Sequence, residues 1–127
     1  VLVVDADEAA RALLADLLAD SGASVTAASS AAEAVALLEA SRFDVLITDI
    51  GLPGESGFDL LRRARALGPE RGGDLPAIAV TAYASADDHH RSVAAGFVTH
   101  VAKPIDGAEL VGLVAAAAAS RTRVPPT

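Results

Sequence analysis

Short runs of consecutive apolar residues alternate along this chain with longer segments whose apolar residues recur every three or four positions. Runs of the first kind read as strands buried on both faces, and segments of the second kind as helices. The first strand is expected over Val1–Asp5. The first helix follows from about Glu8 to Asp20, where Leu13, Leu14, Leu17 and Leu18 recur at helical spacing before Gly22 stops it. Ser24–Ala28 is a weaker second strand. Ser30 then caps a helix to about Ala40, with Glu33 at the capping-box position and Val35, Leu37 and Leu38 as its apolar contacts. Asp44–Asp49 is the strongest strand pattern, and Ile50–Gly57 is a loop by its Gly and Pro content.

A third helix is expected over Phe58–Leu67, followed by a polar, glycine-rich surface excursion at Gly68–Leu75. Pro76 opens a fourth strand, Ala77–Thr81, and a fourth helix covers Ser85–Ala95 until Gly96. Phe97–Ala102 is a fifth strand, and Asp106 caps a last helix to about Ser120. Residues 1–120 then form one domain, and Arg121–Thr127 a tail or linker. Strict alternation of five strands with five helices predicts an α/β fold, a doubly wound parallel sheet whose ligands sit beyond the carboxyl ends of its strands. The Leu and Val stripes are expected to be core. Ala115–Ala119 is a strong helix former whose small side chains allow close packing.

Composition narrows the function. The 127 residues are 52% hydrophobic and 21% charged, too apolar for a disordered chain and right in size for one domain. Without cysteine there are no disulfides, thiolate metal sites or cysteine nucleophiles. A net charge of −7 and 3% aromatic residues offer neither the electrostatic footprint nor the stacking surfaces of a nucleic-acid binder. The longest apolar stretches, such as Val111–Ala119, are too short to span a bilayer, so no membrane contact is expected. The opening on Val1-Leu2-Val3-Val4 reads as a piece cut from a longer protein. Alanine abundance, with Lys103 the only lysine, points to a GC-rich bacterial genome.

The carboxyl ends of the strands collect the candidate chemistry. Asp5 and Asp7 follow the first strand, Asp49 ends the third, Thr81 ends the fourth, and Lys103-Pro104 follows the fifth. Carboxylates around a small hard cation, with a hydroxyl and an ammonium beside them, are the groups that bind Mg²⁺ and stabilise a phosphoryl group on an oxygen nucleophile. Helix capping is the plainer role open to Asp5 and Asp7. Asp49 precedes a loop, where capping is a poor explanation. Lys103 is expected at an exposed edge, contributing under about 1 kcal/mol to stability. His89 and His90 point about 100° apart on a helix and do not easily chelate one ion, while Asp87 and Asp88 suit the first turn of the fourth helix through its dipole. Pro104 is a candidate cis position.

In order and spacing, VLVVDADEAAR, DVLITDIGLPGESGFDLL, AIAVTAYA and HVAKPI resemble the receiver (response-regulator) domains of two-component signalling over essentially all of residues 1–120. The resemblance implies a five-stranded (βα)5 flavodoxin-like fold with strand order 2-1-3-4-5. It implies that Asp49 is the phosphoacceptor, Asp5 a metal-site acid, and Gly51 the backbone carbonyl ligand of Mg²⁺. Thr81 stands for the hydroxyl that turns inward on phosphorylation, and Lys103 for the cation that pairs with phosphoryl oxygen. His100 stands where the family usually carries a switch aromatic. The expected phosphodonor is a histidine kinase or histidine phosphotransfer domain, and the expected location is cytoplasmic, in a parent that includes the membrane-bound case. The GPERGGDLPAIAVTAYA stretch is similar to receivers of hybrid sensor histidine kinases. Such a parent would be a kinase, whereas an isolated receiver turns over no external substrate.

One departure stands out. The family's acidic pair is adjacent, whereas Ala6 occupies the second acid's place here and Asp7 the next position. Either Asp7 replaces the missing metal ligand or the site lacks one. Two other readings stay open. Ala6 permits a receiver that is not phosphorylated and acts only as an interaction domain, and Asp5-Ala6-Asp7 also looks like the D-x-D of haloacid-dehalogenase-type phosphatases.

Overall fold

A computed structural model describes residues 1–82, 86–103 and 105–122, with backbone alone for 86–89 and 120–122. The expectations at Ser85, at the Asp87, Asp88 and His89 side chains, at Pro104 and over most of the tail therefore lie outside the described residues. The elements run β1 (Leu2–Val4), α1 (Glu8–Asp20), β2 (Thr26–Ala28), α2 (Ala31–Ala40), β3 (Leu46–Asp49), α3 (Gly57–Ala66), β4 (Ala77–Thr81), α4 (Ala86–Ala95), β5 (Thr99–Ala102) and α5 (Gly107–Thr122). All pairings are parallel, in the order β2-β1-β3-β4-β5. The expected doubly wound sheet is the observed one, and α5 runs two residues past its expected end.

The reason for continuous apolar strands is visible in β4. Ile78 and Val80 face a core built with Leu14 and Leu18 of α1 and Leu110, Val114 and Ala117 of α5. Ala77 and Ala79 face the other side, where Val35 and Leu38 of α2, Leu60, Leu61 and Ala64 of α3, and Phe97 pack. The three central strands β1, β3 and β4 thus each supply both cores, and the small Ala77 and Ala79 leave room for larger helix side chains. Two of the helix stops use the left-handed conformation that glycine adopts without strain: Gly22 has φ +99° and Gly96 φ +112°. In both, the following amide donates back into the helix, Ala23 to Leu18 and Phe97 to Ser92.

Four expectations need correction. Leu13 is 53% exposed while Leu14 and Leu18 are buried, because adjacent helix residues point about 100° apart and only one of each Leu-Leu pair can face the sheet. Val93 and Val98 are exposed as well. The strands are shorter than expected, although Val1, Val45 and Val98 still make single ladder-like bonds beyond them. Glu33 departs from a simple capping box: its amide donates to Ser30 Oγ, but its carboxylate accepts from the Ser29 amide and hydroxyl.

The fourth correction concerns Gly68–Leu75, which is not simply a surface excursion. A 3-10 turn at Pro69–Arg71 folds the chain back so that Gly72, Gly73 and Leu75 are buried. Arg65 of α3 donates to the carbonyls of Gly73 at 2.9 Å, Leu75 at 2.6 Å and Gly96 at 3.4 Å, tying two loops to one helix. A β-carbon at Gly73 would lie 2.5 Å from the Ala64 carbonyl oxygen. Hydrogen bonds from a charged donor contribute about 1.5–3 kcal/mol, so Arg65→Ala should lower the unfolding free energy in urea by about 2 kcal/mol. Arg65→Lys should recover less than half of that, because one ammonium cannot reproduce the planar fork.

Candidate functional site at the carboxyl edge of the sheet

Parallel strands bring β1, β3, β4 and β5 to one edge with their carboxyl ends together. Asp5 follows β1 and is 1% exposed; its amide donates to the Ala28 carbonyl, which fixes it to the end of β2. Asp49 ends β3, and its Oδ1 accepts from the Gly51 amide at 3.0 Å. Thr81 ends β4 and is buried. The Lys103 amide donates to the Thr81 carbonyl at 2.8 Å, drawing the chain after β5 inward over β4.

The outcome is a bridge. Lys103 Nζ lies 3.2 Å from Asp5 Oδ2 and 3.2 Å from Asp49 Oδ2. Opposite unit charges at 4 Å attract by about 4 kcal/mol at an effective dielectric of 20, before dehydration is subtracted. Burial acts to lower the Lys103 pKa, yet the Asp5 hydrogen bond and the Asp49 and Asp5 charges outweigh it and raise it above the ordinary 10.5. The expectation of an exposed-edge ammonium is thereby corrected: the Lys103 side chain is 29% exposed and compensates an almost fully buried carboxylate.

Of the residues expected at the site, Asp5, Asp49 and Lys103 meet directly and Thr81 and Gly51 flank them. Asp7 goes elsewhere. Its side chain is the N-cap of α1, accepting from the Ala9 amide, while its own amide donates to Asp5 Oδ1 at 2.9 Å. Among the described residues no three acids or histidines gather as a metal cluster. The donor set nonetheless suits a hard, oxygen-seeking cation, since two carboxylates converge within reach of one ammonium. His100 is half-buried on β5 in register with Ala79 of β4.

Gly57 is a site residue that sequence reasoning missed. A β-carbon there would lie 2.6 Å from the Asp49 carbonyl oxygen and 2.9 Å from Ile50 Cα, so α3 begins pressed against the backbone of Asp49. The available signal was a glycine at the first helical position, behind the Ser56 cap, where no turn requires it.

A parallel α/β sheet with two carboxylates and a lysine at its carboxyl edge presents groups suited to a divalent cation and a phosphoryl group. The model for the response regulator receiver domain matches residues 1–115, and the chain belongs to that family. It is 39% identical over 105 residues to the chemotaxis protein CheY of Pseudomonas aeruginosa, covering 82% of this chain and 83% of that one. It is 33% identical to the sensor histidine kinase RcsC of Escherichia coli over 83% of this chain, which is 11% of that protein. Among solved structures, a putative response regulator from Chloroflexus aurantiacus superposes with a TM-score of 0.86 at 31% identity, covering 93% of this chain and 95% of that chain. The CheY-like receiver domain protein from Methanospirillum hungatei gives 0.84 at 30% identity, covering 94% and 93%.

Two outcomes follow from the geometry. Gly57→Ala should cost about 1–3 kcal/mol by overpacking, whereas Gly112→Ala, in open space on α5, should stabilise by up to about 1 kcal/mol. Paired urea melts check both. Lys103→Met should destabilise by about 3–5 kcal/mol at neutral pH by stranding Asp5. Because the folded pKa of Lys103 is raised, its contribution is complete below 10.5 and is lost as pH rises through the folded value. On the alkaline side the gap between wild type and Lys103→Met should therefore persist past pH 10.5 and narrow only as pH passes the folded value.

Proposed function

We propose that this domain accepts a phosphoryl group on Asp49 from a phosphohistidine of a histidine kinase or histidine phosphotransfer domain, and that phosphorylation changes its affinity for a protein partner. The observation that carries this reading is the Lys103 ammonium bonded to Asp49 and Asp5 together. In the transfer, an Asp49 carboxylate oxygen attacks phosphorus. The new O–P bond forms as the donor's P–N bond breaks, and the departing imidazole keeps the electron pair and takes a proton from solvent. The product is an acyl phosphate carrying close to two negative charges.

Lys103 pairs with a phosphoryl oxygen by a charge-assisted hydrogen bond. Thr81 is one residue beyond the β4 partner of Asp49, Val80, and its hydroxyl is the donor that turns toward the phosphoryl group. His100 on β5 is the side chain that responds to this movement. Asp5, Asp49 and the Gly51 carbonyl are the groups that would hold Mg²⁺, which when bound neutralises charge on the phosphoryl oxygens. The same reading puts the domain in the cytoplasm, where kinases have ATP, whether or not the parent chain is a membrane-bound hybrid kinase. No described helix is long and apolar enough to cross a membrane.

Ala6 supports a second reading, an interaction domain that is not phosphorylated. The phosphatase alternative is disfavoured by the receiver family match, and the cap bond of Asp7 supports the same choice. Incubation with a small phosphodonor and Mg²⁺ should add one phosphoryl group to the wild type and none to Asp49→Asn. An unmodified wild type would leave the interaction-domain reading. In metal titrations Ala6→Asp should bind Mg²⁺ at least about tenfold more tightly, a difference of about 1.4 kcal/mol. Asp7→Ala should bind as the wild type does, and a large loss there would mean that Asp7 leaves its cap to ligate.

A further inference from the structure

We propose that Arg11 is a positioning residue for the acid site, holding the turn after β1 so that the Asp5 carboxylate stays aimed at Lys103 and Asp49. The proposal deepens the phosphoacceptor reading and takes the purpose of the site from it. Arg11 is the only basic residue of α1, whose charged residues are otherwise Glu8, Asp16 and Asp20. Its side chain holds the start of the Asp5–Asp7 turn, and its backbone closes the first helical turn behind it, a bond that any residue at position 11 would make. Its side-chain Nη1 donates to the Asp5 carbonyl at 2.9 Å, and its amide donates to the Asp7 carbonyl at 2.9 Å.

Within this turn, the Asp7 amide donates to Asp5 Oδ1, so turn geometry and carboxylate direction are coupled. Rotation of the Asp5–Ala6 peptide would break the Arg11 bond, shift the Asp7 amide and release Oδ1, leaving Oδ2 free to swing away from Lys103. Ala6 has no polar atom in its side chain with which to brace the turn. The Glu33 carboxylate is bonded to Ser29 in the loop after β2. Glu33 has a pKa below the ordinary 4.5, first through the Ser29 amide and hydroxyl and to a smaller degree through Arg11. Arg11 thus ties α1 to the turn at the end of β1. Partners that orient reacting or ligating groups from behind are known to cost about 10–100-fold when removed.

The test uses the 127-residue chain, its Arg11→Ala and Arg11→Lys variants, amide hydrogen exchange by NMR, and acetyl phosphate with Mg²⁺ as phosphodonor. In Arg11→Ala the Asp7 amide should exchange about tenfold faster, while Ile78, Ala79 and Val80 of β4 change by less than about twofold. The rate of phosphorylation should fall about tenfold, and Arg11→Lys should recover part of both effects. Unchanged exchange at Asp7 would overturn the proposal, as would equal loss of protection across β4, which would mark a purely structural role. If the turn loosens and the variant is phosphorylated as fast as the wild type, positioning is also overturned. If the turn loosens and neither protein takes a phosphoryl group, the phosphoacceptor reading fails while the hold on Asp5 stands.

Discussion

One ammonium shared by two carboxylates organises this domain. Asp5 is almost fully buried, and a buried charge without a partner costs several kcal/mol. Lys103 compensates it, yet in the order β2-β1-β3-β4-β5 it emerges from the strand farthest from β2. With strands about 4.8 Å apart, β5 lies about 10 Å from β3 and about 14 Å from β1. The gap closes because the Lys103 amide is bonded to the Thr81 carbonyl of β4, which brings its backbone inward, and because lysine has a long, flexible stem.

The rest of the fold keeps those chain ends where the bridge needs them. A sheet buried on both faces holds β1, β3 and β4 in rigid parallel register, so Asp5, Asp49 and Thr81 have little freedom to separate. Gly57 lets α3 start in contact with the Asp49 backbone, turning helix packing into a constraint on the site. Arg65 does comparable work on the loops before β4 and β5, where charge-assisted bonds to carbonyls take the place of regular secondary structure. Stability and chemistry therefore share residues near the carboxyl edge, and variants there require both readouts.

Asp49 and Lys103 could be read from the chain because strands buried on both faces leave a continuous apolar signature, and residues just beyond them fall on a single edge. Ala77–Thr81 and Glu8–Asp20 have the observed bounds for the same reason, each pattern being long or strongly bounded by Gly and Pro. Where side-chain direction decides, the pattern was silent. Leu13 and Leu14 are the same residue type, and only the orientation of α1 on the sheet buries one of them. Asp7 suits either a ligand or a cap by sequence, and the structure has it capping α1 through the Ala9 amide. Gly73 and Leu75 are buried by contacts with α3, which a polar local composition conceals.

The central claim is that the carboxylate held by Lys103 at the end of β3 is the one that reacts. Acyl phosphates are reduced by borohydride, which converts a phosphorylated aspartate to homoserine and leaves free carboxylates intact. Peptide mapping of the wild-type chain after treatment with phosphodonor, Mg²⁺ and borohydride should find homoserine at position 49 alone. Homoserine at position 5, or an unconverted Asp49 in protein shown to be folded, would contradict the account.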